Sequence, residues 1–96
     1  MARLVFAPRA LDDIDRLCDL LREHSGTLAA ETAPLIIEGL AALIRHPLLG
    51  RPVEHGLREL MISRGRTGYI ALYRYLVEAD TVLLLRVVHQ RESARE

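Results

Sequence analysis

The last third of the chain, Leu57–Arg91, reads LRELMISRGRTGYIALYRYLVEADTVLLLRVVHQR. Three runs rich in aliphatic, β-branched or aromatic residues are separated by two turn signals, SRGRTG at 63–68 and EAD at 78–80. Such runs read as strands, and glycine or Asx clusters between them read as tight connections. The spacing predicts strands over 57–62, 69–77 and 81–89, joined as an antiparallel meander. In the middle run, Ile70, Leu72, Arg74 and Leu76 alternate with Ala71, Tyr73, Tyr75 and Val77. Both faces of that strand therefore carry apolar bulk, and neither is expected to stand bare in water.

Upstream of the meander the period changes from two to between three and four. Leu11, Ile14, Leu17, Cys18 and Leu21 form one stripe, with Asp12, Asp13, Asp15, Arg16, Asp19 and Arg22 on the other face. That pattern predicts an amphipathic helix. Pro8 suits its first turn, where a missing N–H costs nothing. Asp12 and Asp13 near its start suit the helix dipole. Gly26 is expected as its left-handed cap. Leu28, Ile36, Leu40, Leu43 and Ile44 mark a second helix over 27–45, widened by Leu35 and Ile37. Pro34 predicts a kink or a loose first turn there, and Pro47 a stop. A stripe so wide predicts contact on two sides, the sheet and something else. Before the first helix, Arg3–Phe6 (RLVF) reads as a short strand ended by Pro8. His46–Gly56 (HPLLGRPVEHG) reads as a connector. The expected fold is α+β in the order β-α-α-β-β-β, a helical hairpin packed on a small, mainly antiparallel sheet. It is expected to form one domain across residues 1–96.

Composition bounds the function. Half of the 96 residues are hydrophobic. A domain this small has little interior, so part of that apolar surface is expected to meet a partner. All the basic residues are arginines. No lysine is present to act as a Schiff-base nucleophile or general acid, whereas arginine offers a fixed charge and a planar fork for carboxylate or phosphate. Residues 1–50 hold five arginines against seven acidic residues, and residues 51–96 eight against six. That near balance is unlike a protein that grips a long stretch of nucleic acid, so no direct sequence-specific nucleic-acid binding is expected. The single Cys18 reads as a buried thiol in a reducing compartment. No secretory signal or membrane-length apolar run is read, and a soluble, cytoplasmic protein is expected. His24, His46 and His55 lack metal-ligand spacing with Asp, Glu or Cys, so neither metal nor cofactor is expected.

The ordered pieces LVFAPRALDDI (4–14), HPLLGRPVEHGLREL (46–60), YIALYRY (69–75) and LLLRVVHQR (83–91) resemble the ParE/RelE toxin superfamily of bacterial toxin–antitoxin systems, over nearly the whole chain. The resemblance implies two chemistries. RelE-like members are ribosome-dependent mRNA endonucleases. Their site supplies lysines or a glutamate, a strand arginine, and a histidine or tyrosine near the C-terminus. Here no lysine exists, Ile70 stands where that arginine is expected, and Gln90 follows His89. ParE-like members instead poison DNA gyrase without nuclease chemistry, and this branch fits better. The resemblance then implies a toxin of a plasmid-stabilisation type, neutralised by a cognate antitoxin. Its gyrase contacts are expected at Arg74, Arg86, His89 and Arg91. The antitoxin is expected on Leu17, Leu21, Leu40 and Ile44, with a homodimer or toxin–antitoxin hetero-oligomer as the assembly. A RelE-like endonuclease with altered residues stays open, as does a non-toxic member acting only in antitoxin binding and operon repression. Arg74 and Arg86 read equally as structural cations paired with Glu59 or Glu78. His89 reads equally as an ordinary histidine at a strand end. Tyr73 and Tyr75 read as core or partner contacts rather than a base-stacking platform.

Overall fold

The computed structural model describes residues 1–24, 26–64 and 67–90. Its elements run β1 (Arg3–Phe6), α1 (Pro8–His24), α2 (Gly26–Arg45), β2 (Arg51–Pro52), a 3₁₀ turn (Glu54–Gly56), β3 (Arg58–Arg64), β4 (Thr67–Leu76) and β5 (Thr81–His89). The five strands form one sheet in the order β1-β5-β4-β3-β2. β1 lies parallel to β5, with Arg3 opposite Thr81 and Phe6 opposite Leu84, while every other pairing is antiparallel. The α+β fold with a helical pair on a mainly antiparallel sheet is thus as expected. One strand is added, since the connector contributes β2 through Arg51↔Glu59 and Pro52↔Arg58.

The core forms where the helical stripe meets one face of the sheet. Ala10, Leu43, Ala71, Tyr73, Val82, Leu84 and Val87 are fully buried there, with Leu17, Ile36, Leu40, Ile62 and Tyr69 nearly so. Along β4 the inward positions are Tyr69, Ala71 and Tyr73, so Ile70, Leu72 and Arg74 take the face away from the helices. Tyr73 satisfies its hydroxyl inside this core by donating to Pro47 O at 2.7 Å and accepting the Gly50 N–H at 2.9 Å. The Tyr75 hydroxyl donates to Asp80 Oδ1 at 2.6 Å, which ties the β4–β5 turn.

Several local expectations change. Gly26 is the first residue of α2 rather than a cap outside α1. Pro34 lies within α2, which runs on through it, and its side chain is exposed. β3 reaches to Arg64 and β4 starts at Thr67, so the first turn is shorter than SRGRTG; residues 65 and 66 lie outside the described residues. Cys18 is half-buried rather than buried, because it sits at the outer seam between the helices. Asp12 and Asp13 fall in the second turn of α1, and Asp13 is buried.

Leu84 and Leu72 occupy neighbouring strands but opposite environments: Leu84 is fully buried under the helices, and Leu72 is half-buried on the outer face. Leu84→Ala is therefore expected to cost about 2–5 kcal/mol in urea unfolding, and Leu72→Ala less, because a partly wet site leaves a smaller cavity. Equal losses would contradict the assignment of faces.

Candidate functional site

A buried polar cluster joins the two halves of the chain. A β-bulge interrupts β5: Tyr73 pairs with Leu84, Leu72 with Arg86, and Leu85 is the extra residue. The bulge changes the inward phase. Val82 and Leu84 point to the core before it, and Val87 after it. β1 ends opposite Leu84, so beyond that point β5 has no strand on its outer side. Asp13, on the second turn of α1, fills the gap. Its carboxylate accepts the Val87 N–H at 3.0 Å, Arg86 Nε at 2.7 Å and Arg86 Nη2 at 3.2 Å. Arg16 Nη2 stands 3.7 Å away. Burial alone would push the Asp13 pKa up. The Arg86 hydrogen bond, the Val87 N–H and the charges of Arg86 and Arg16 outweigh it and hold the carboxyl below its ordinary value. Arg86 is therefore a cation with an internal partner, and that partner is Asp13 rather than Glu59 or Glu78. Glu59 is taken by Arg51 at 2.8 Å.

The other expected target contacts are dispersed. His89 ends β5 and sets its ring edge-on to Tyr69, with centroids 5.5 Å apart and an interplanar angle of 86°. Tyr69 is buried and hydrogen-bonded to Thr32, and burial raises its pKa. Arg91 lies outside the described residues. Arg74, on the outer face of β4, borders a shallow depression of about 420 Å³ formed with Gly56 and the 76–79 turn. Gly56 has φ +72°, and a Cβ there would stand 3.1 Å from Arg74 Nη1, so glycine both permits the turn and makes room for the guanidinium. The same outer face carries an aliphatic row across three strands, Met61–Ile70–Val88 in register. Among the described residues no helix covers this face, although Ile70 within the row is buried. The structure thus brings Arg86 together with Asp13 and His89 with Tyr69, and sets Arg74 apart from both, beside Gly56 near the β4–β5 turn.

A separate apolar groove of about 310 Å³ runs between α1 and α2 beside β1. Phe6, Leu11, Ile14, Cys18, Ala33, Ile36, Ile37 and Leu40 line it. Leu11 is 50% exposed and Ile37 65%. Of the four leucines and isoleucines expected to receive an antitoxin, Leu40 alone is in this lining. Leu17, 5% exposed, is held in the core, and Leu21 and Ile44 are half-buried elsewhere. The groove is therefore formed mainly by the seam of the helical pair, with Phe6 of β1 as the sheet's contribution. Beside it, β1 is an edge strand with β5 on one side only.

The family described as ParE toxin of type II toxin-antitoxin system, parDE, matches residues 4–94. The chain belongs to that family. Among curated relatives, this toxin is 33% identical to Toxin RelE3 of Caulobacter vibrioides over 92 residues, covering 96% of this chain and 98% of that one. It is 34% identical to Toxin RelE1 of the same organism over 85 residues, covering 88% and 89%. Among solved structures, it resembles the toxin–antitoxin structure described as the chromosomal ParDE system from P. aeruginosa, with a TM-score of 0.74 and 25% identity over 93% of this chain and 96% of the other. It also resembles the RelBE2 toxin–antitoxin complex from Mycobacterium tuberculosis, with a TM-score of 0.58 and 27% identity over 93% and 91%. The family thus confirms a type II toxin–antitoxin toxin and the fold that the sequence resemblance implied.

The two features, the Asp13 cluster and the groove, differ in how far the sequence announces them. Asp13 sits in a run of three acidic residues within four positions, and nothing local marks it as the one that turns inward. Leu11 and Ile37 were legible as excess apolar surface, since Ile37 widens the α2 stripe beyond what one packing face uses. No helix among the described residues is long and apolar enough to cross a membrane.

Proposed function

We propose that this toxin acts by holding DNA gyrase in a DNA-cleaved state, without nuclease chemistry of its own, and that a cognate antitoxin neutralises it. What supports the first half is the aliphatic row Met61–Ile70–Val88 on the sheet face away from the helices, where Met61 is 52% exposed and the position of Ile70, itself buried, holds no cation. RNA cleavage needs a base, an acid and cations around one phosphate. Ile70 stands where the RelE-like pattern asks for an arginine, and Arg86 is engaged with Asp13. A gyrase poison needs only differential affinity for one state of its target, since the covalent chemistry belongs to gyrase. Arg74 is the expected contact best presented for that task, through bidentate pairing to carboxylate or phosphate. Arg86 and His89 serve it by fixing the end of β5, and Arg91 is two residues further along the sequence.

The second half rests on the groove and the open edge of β1. An amphipathic segment can lay its apolar side in the groove while an extended one adds to β1. The structural relatives described as toxin–antitoxin complexes support such a partner for this chain. We take the whole of residues 1–96 as one toxin domain that works in the cytoplasm, where gyrase is.

The RelE names of the two curated relatives favour a second reading, an mRNA endonuclease. One experiment separates the two. His89→Gln keeps size and hydrogen bonding but cannot shuttle a proton near neutral pH. It is expected to leave growth inhibition and gyrase-dependent DNA cleavage nearly unchanged, whereas Arg74→Ala weakens both. An endonuclease would instead lose about 10²–10⁴-fold of its activity with His89→Gln, the usual worth of a general acid or base. That loss, seen together with ribosome-dependent mRNA cuts, would replace the gyrase reading.

A further inference from the structure

Between α2 and β2 the segment His46–Gly50 crosses the end of the sheet and presents two leucines to solvent. Leu48 is 60% exposed and Leu49 52%. Single exposed leucines are ordinary. A pair on a backbone fixed from several directions is a different matter. The Tyr73 hydroxyl, on a fully buried side chain, donates to Pro47 O at 2.7 Å and accepts the Gly50 N–H at 2.9 Å. Arg58 Nη1 donates to Gly50 O at 2.7 Å and to Leu48 O at 3.3 Å. The Leu49 N–H closes the turn on His46 O at 3.0 Å. Gly50 lies so close to the sheet that a Cβ would stand 2.7 Å from the Tyr73 hydroxyl and 2.8 Å from Glu59 O. A core tyrosine, a half-buried arginine and an obligatory glycine thus set the shape of this loop before anything docks on it. A rigid apolar projection loses little conformational freedom on binding.

On its α2 side the projection is flanked by positive charge, while on its β3 side Leu49 borders a depression with Arg51 and Glu59, whose charges pair. Arg45 closes α2 beside it, and the depression along it is lined by Arg45, His46, Pro47, Leu48 and Leu49, with no acidic residue. Arg51 follows, 76% exposed and shared with Glu59. Position completes the argument. Leu48 and Leu49 lead into β2, whereas the groove and the open edge proposed for the antitoxin lie along the α1–α2 seam and β1; Arg45 stands between the two, since the Ile44 carbonyl beside it accepts the Ala2 N–H at 3.0 Å. A partner on the loop and a partner on the groove do not compete for the same side chains.

We infer that Leu48 and Leu49 form a preformed docking projection for the toxin's protein target, whose matching surface is an apolar pocket rimmed by carboxylates. This rests on the reading of gyrase as that target. It assigns the target to the β2 end of the sheet and the antitoxin to the β1 end.

The full chain carrying Leu48→Asp, Arg45→Glu or, as a control on α1, Leu20→Asp would be assayed for inhibition of purified gyrase in DNA supercoiling, for growth arrest, for antitoxin affinity and for Tm. Leu48→Asp places a carboxylate where the partner's rim is acidic. Its half-inhibitory concentration is expected to rise by about 30-fold, the effect of a strong interface position. Arg45→Glu should raise it by about 10-fold and weaken its dependence on salt. Antitoxin affinity and Tm should stay at wild-type values for both, and Leu20→Asp should change nothing. Gyrase inhibition by Leu48→Asp and Arg45→Glu equal to wild type would overturn the projection while leaving gyrase as the target. Loss of antitoxin affinity with Tm preserved would also overturn it, by moving the antitoxin to this loop. A wild-type toxin that arrests growth but leaves purified gyrase untouched would overturn the gyrase reading and, with it, this assignment.

Discussion

Replacing Asp13 with alanine is expected to destabilise the protein by about 3–5 kcal/mol, the range found when one partner of a buried ion pair is removed. The carboxylate is 5% exposed and bonds two groups at once, the Arg86 guanidinium and the Val87 N–H. Its removal leaves a backbone donor without its acceptor and a guanidinium without its carboxylate, both in a poorly hydrated seam. The bulge in β5 loses the group that holds it. A domain of this size has about 5–15 kcal/mol of total stability, so the variant would sit close to unfolding. The comparison is Asp19→Ala, which breaks the Arg22–Asp19 pair, 69% exposed on both sides, and should cost less than about 1 kcal/mol. Equal losses in urea unfolding would show that the Asp13 seam is not the anchor described. The pH dependence has a definite sign. The folded-state pKa of Asp13 lies below its ordinary value of 3.8, so the contribution is present above that value and is lost as pH falls through the folded-state pKa. Asp13→Asn keeps the size and an acceptor but not the charge. Its stability deficit relative to wild type should be full at pH 7 and shrink below about pH 4.

Most of the fold could be read from periodicity, and the reason is visible in particular elements. β1 and β5 fell at their observed bounds because a short run dominated by aliphatic and aromatic residues with a proline or an Asx turn beside it has one reading. The helices followed from the stripes containing Leu17 and Leu40. β2 could not be read, since a two-residue edge strand containing Pro52 carries no period. The bulge at Leu85 was equally hidden. Leu83, Leu84, Leu85, Val87 and Val88 are all apolar, so a shift of inward phase leaves no trace in the pattern. Asp13 depends on that bulge, which is why its inward turn could not be foreseen. Periodicity also placed Leu17 and Leu40 on the right faces of their helices while leaving their role undecided. A leucine in a stripe is buried by whichever surface packs first, and here the sheet claims Leu17 and leaves Leu11 and Ile37 for another partner.

Ile37→Glu should abolish neutralisation by the antitoxin while leaving the toxin folded. Ile37 is 65% exposed on the outer side of α2 and lines the groove with Leu11, Ile14 and Phe6. In the free toxin the new carboxylate stays in water, so stability should change by no more than about 0.5 kcal/mol, as for other surface substitutions. In the complex the same group would be buried among apolar side chains with no cation in the lining, and an unpaired buried charge costs several kcal/mol unless it is neutralised. The expected result is an affinity at least about 100-fold weaker, which corresponds to about 2.7 kcal/mol. Cells co-expressing the variant with the antitoxin should stop growing where wild-type cells recover, because Ile37 lies away from both Arg74 and the His46–Gly50 loop. Leu40→Ala is the informative contrast. Leu40 is 6% exposed and belongs to the core as well as to the groove floor, so its loss should lower stability by about 2–5 kcal/mol before it affects binding. An antitoxin that binds Ile37→Glu as tightly as wild type would place its apolar side elsewhere on the toxin, and the seam between α1 and α2 would no longer be its seat.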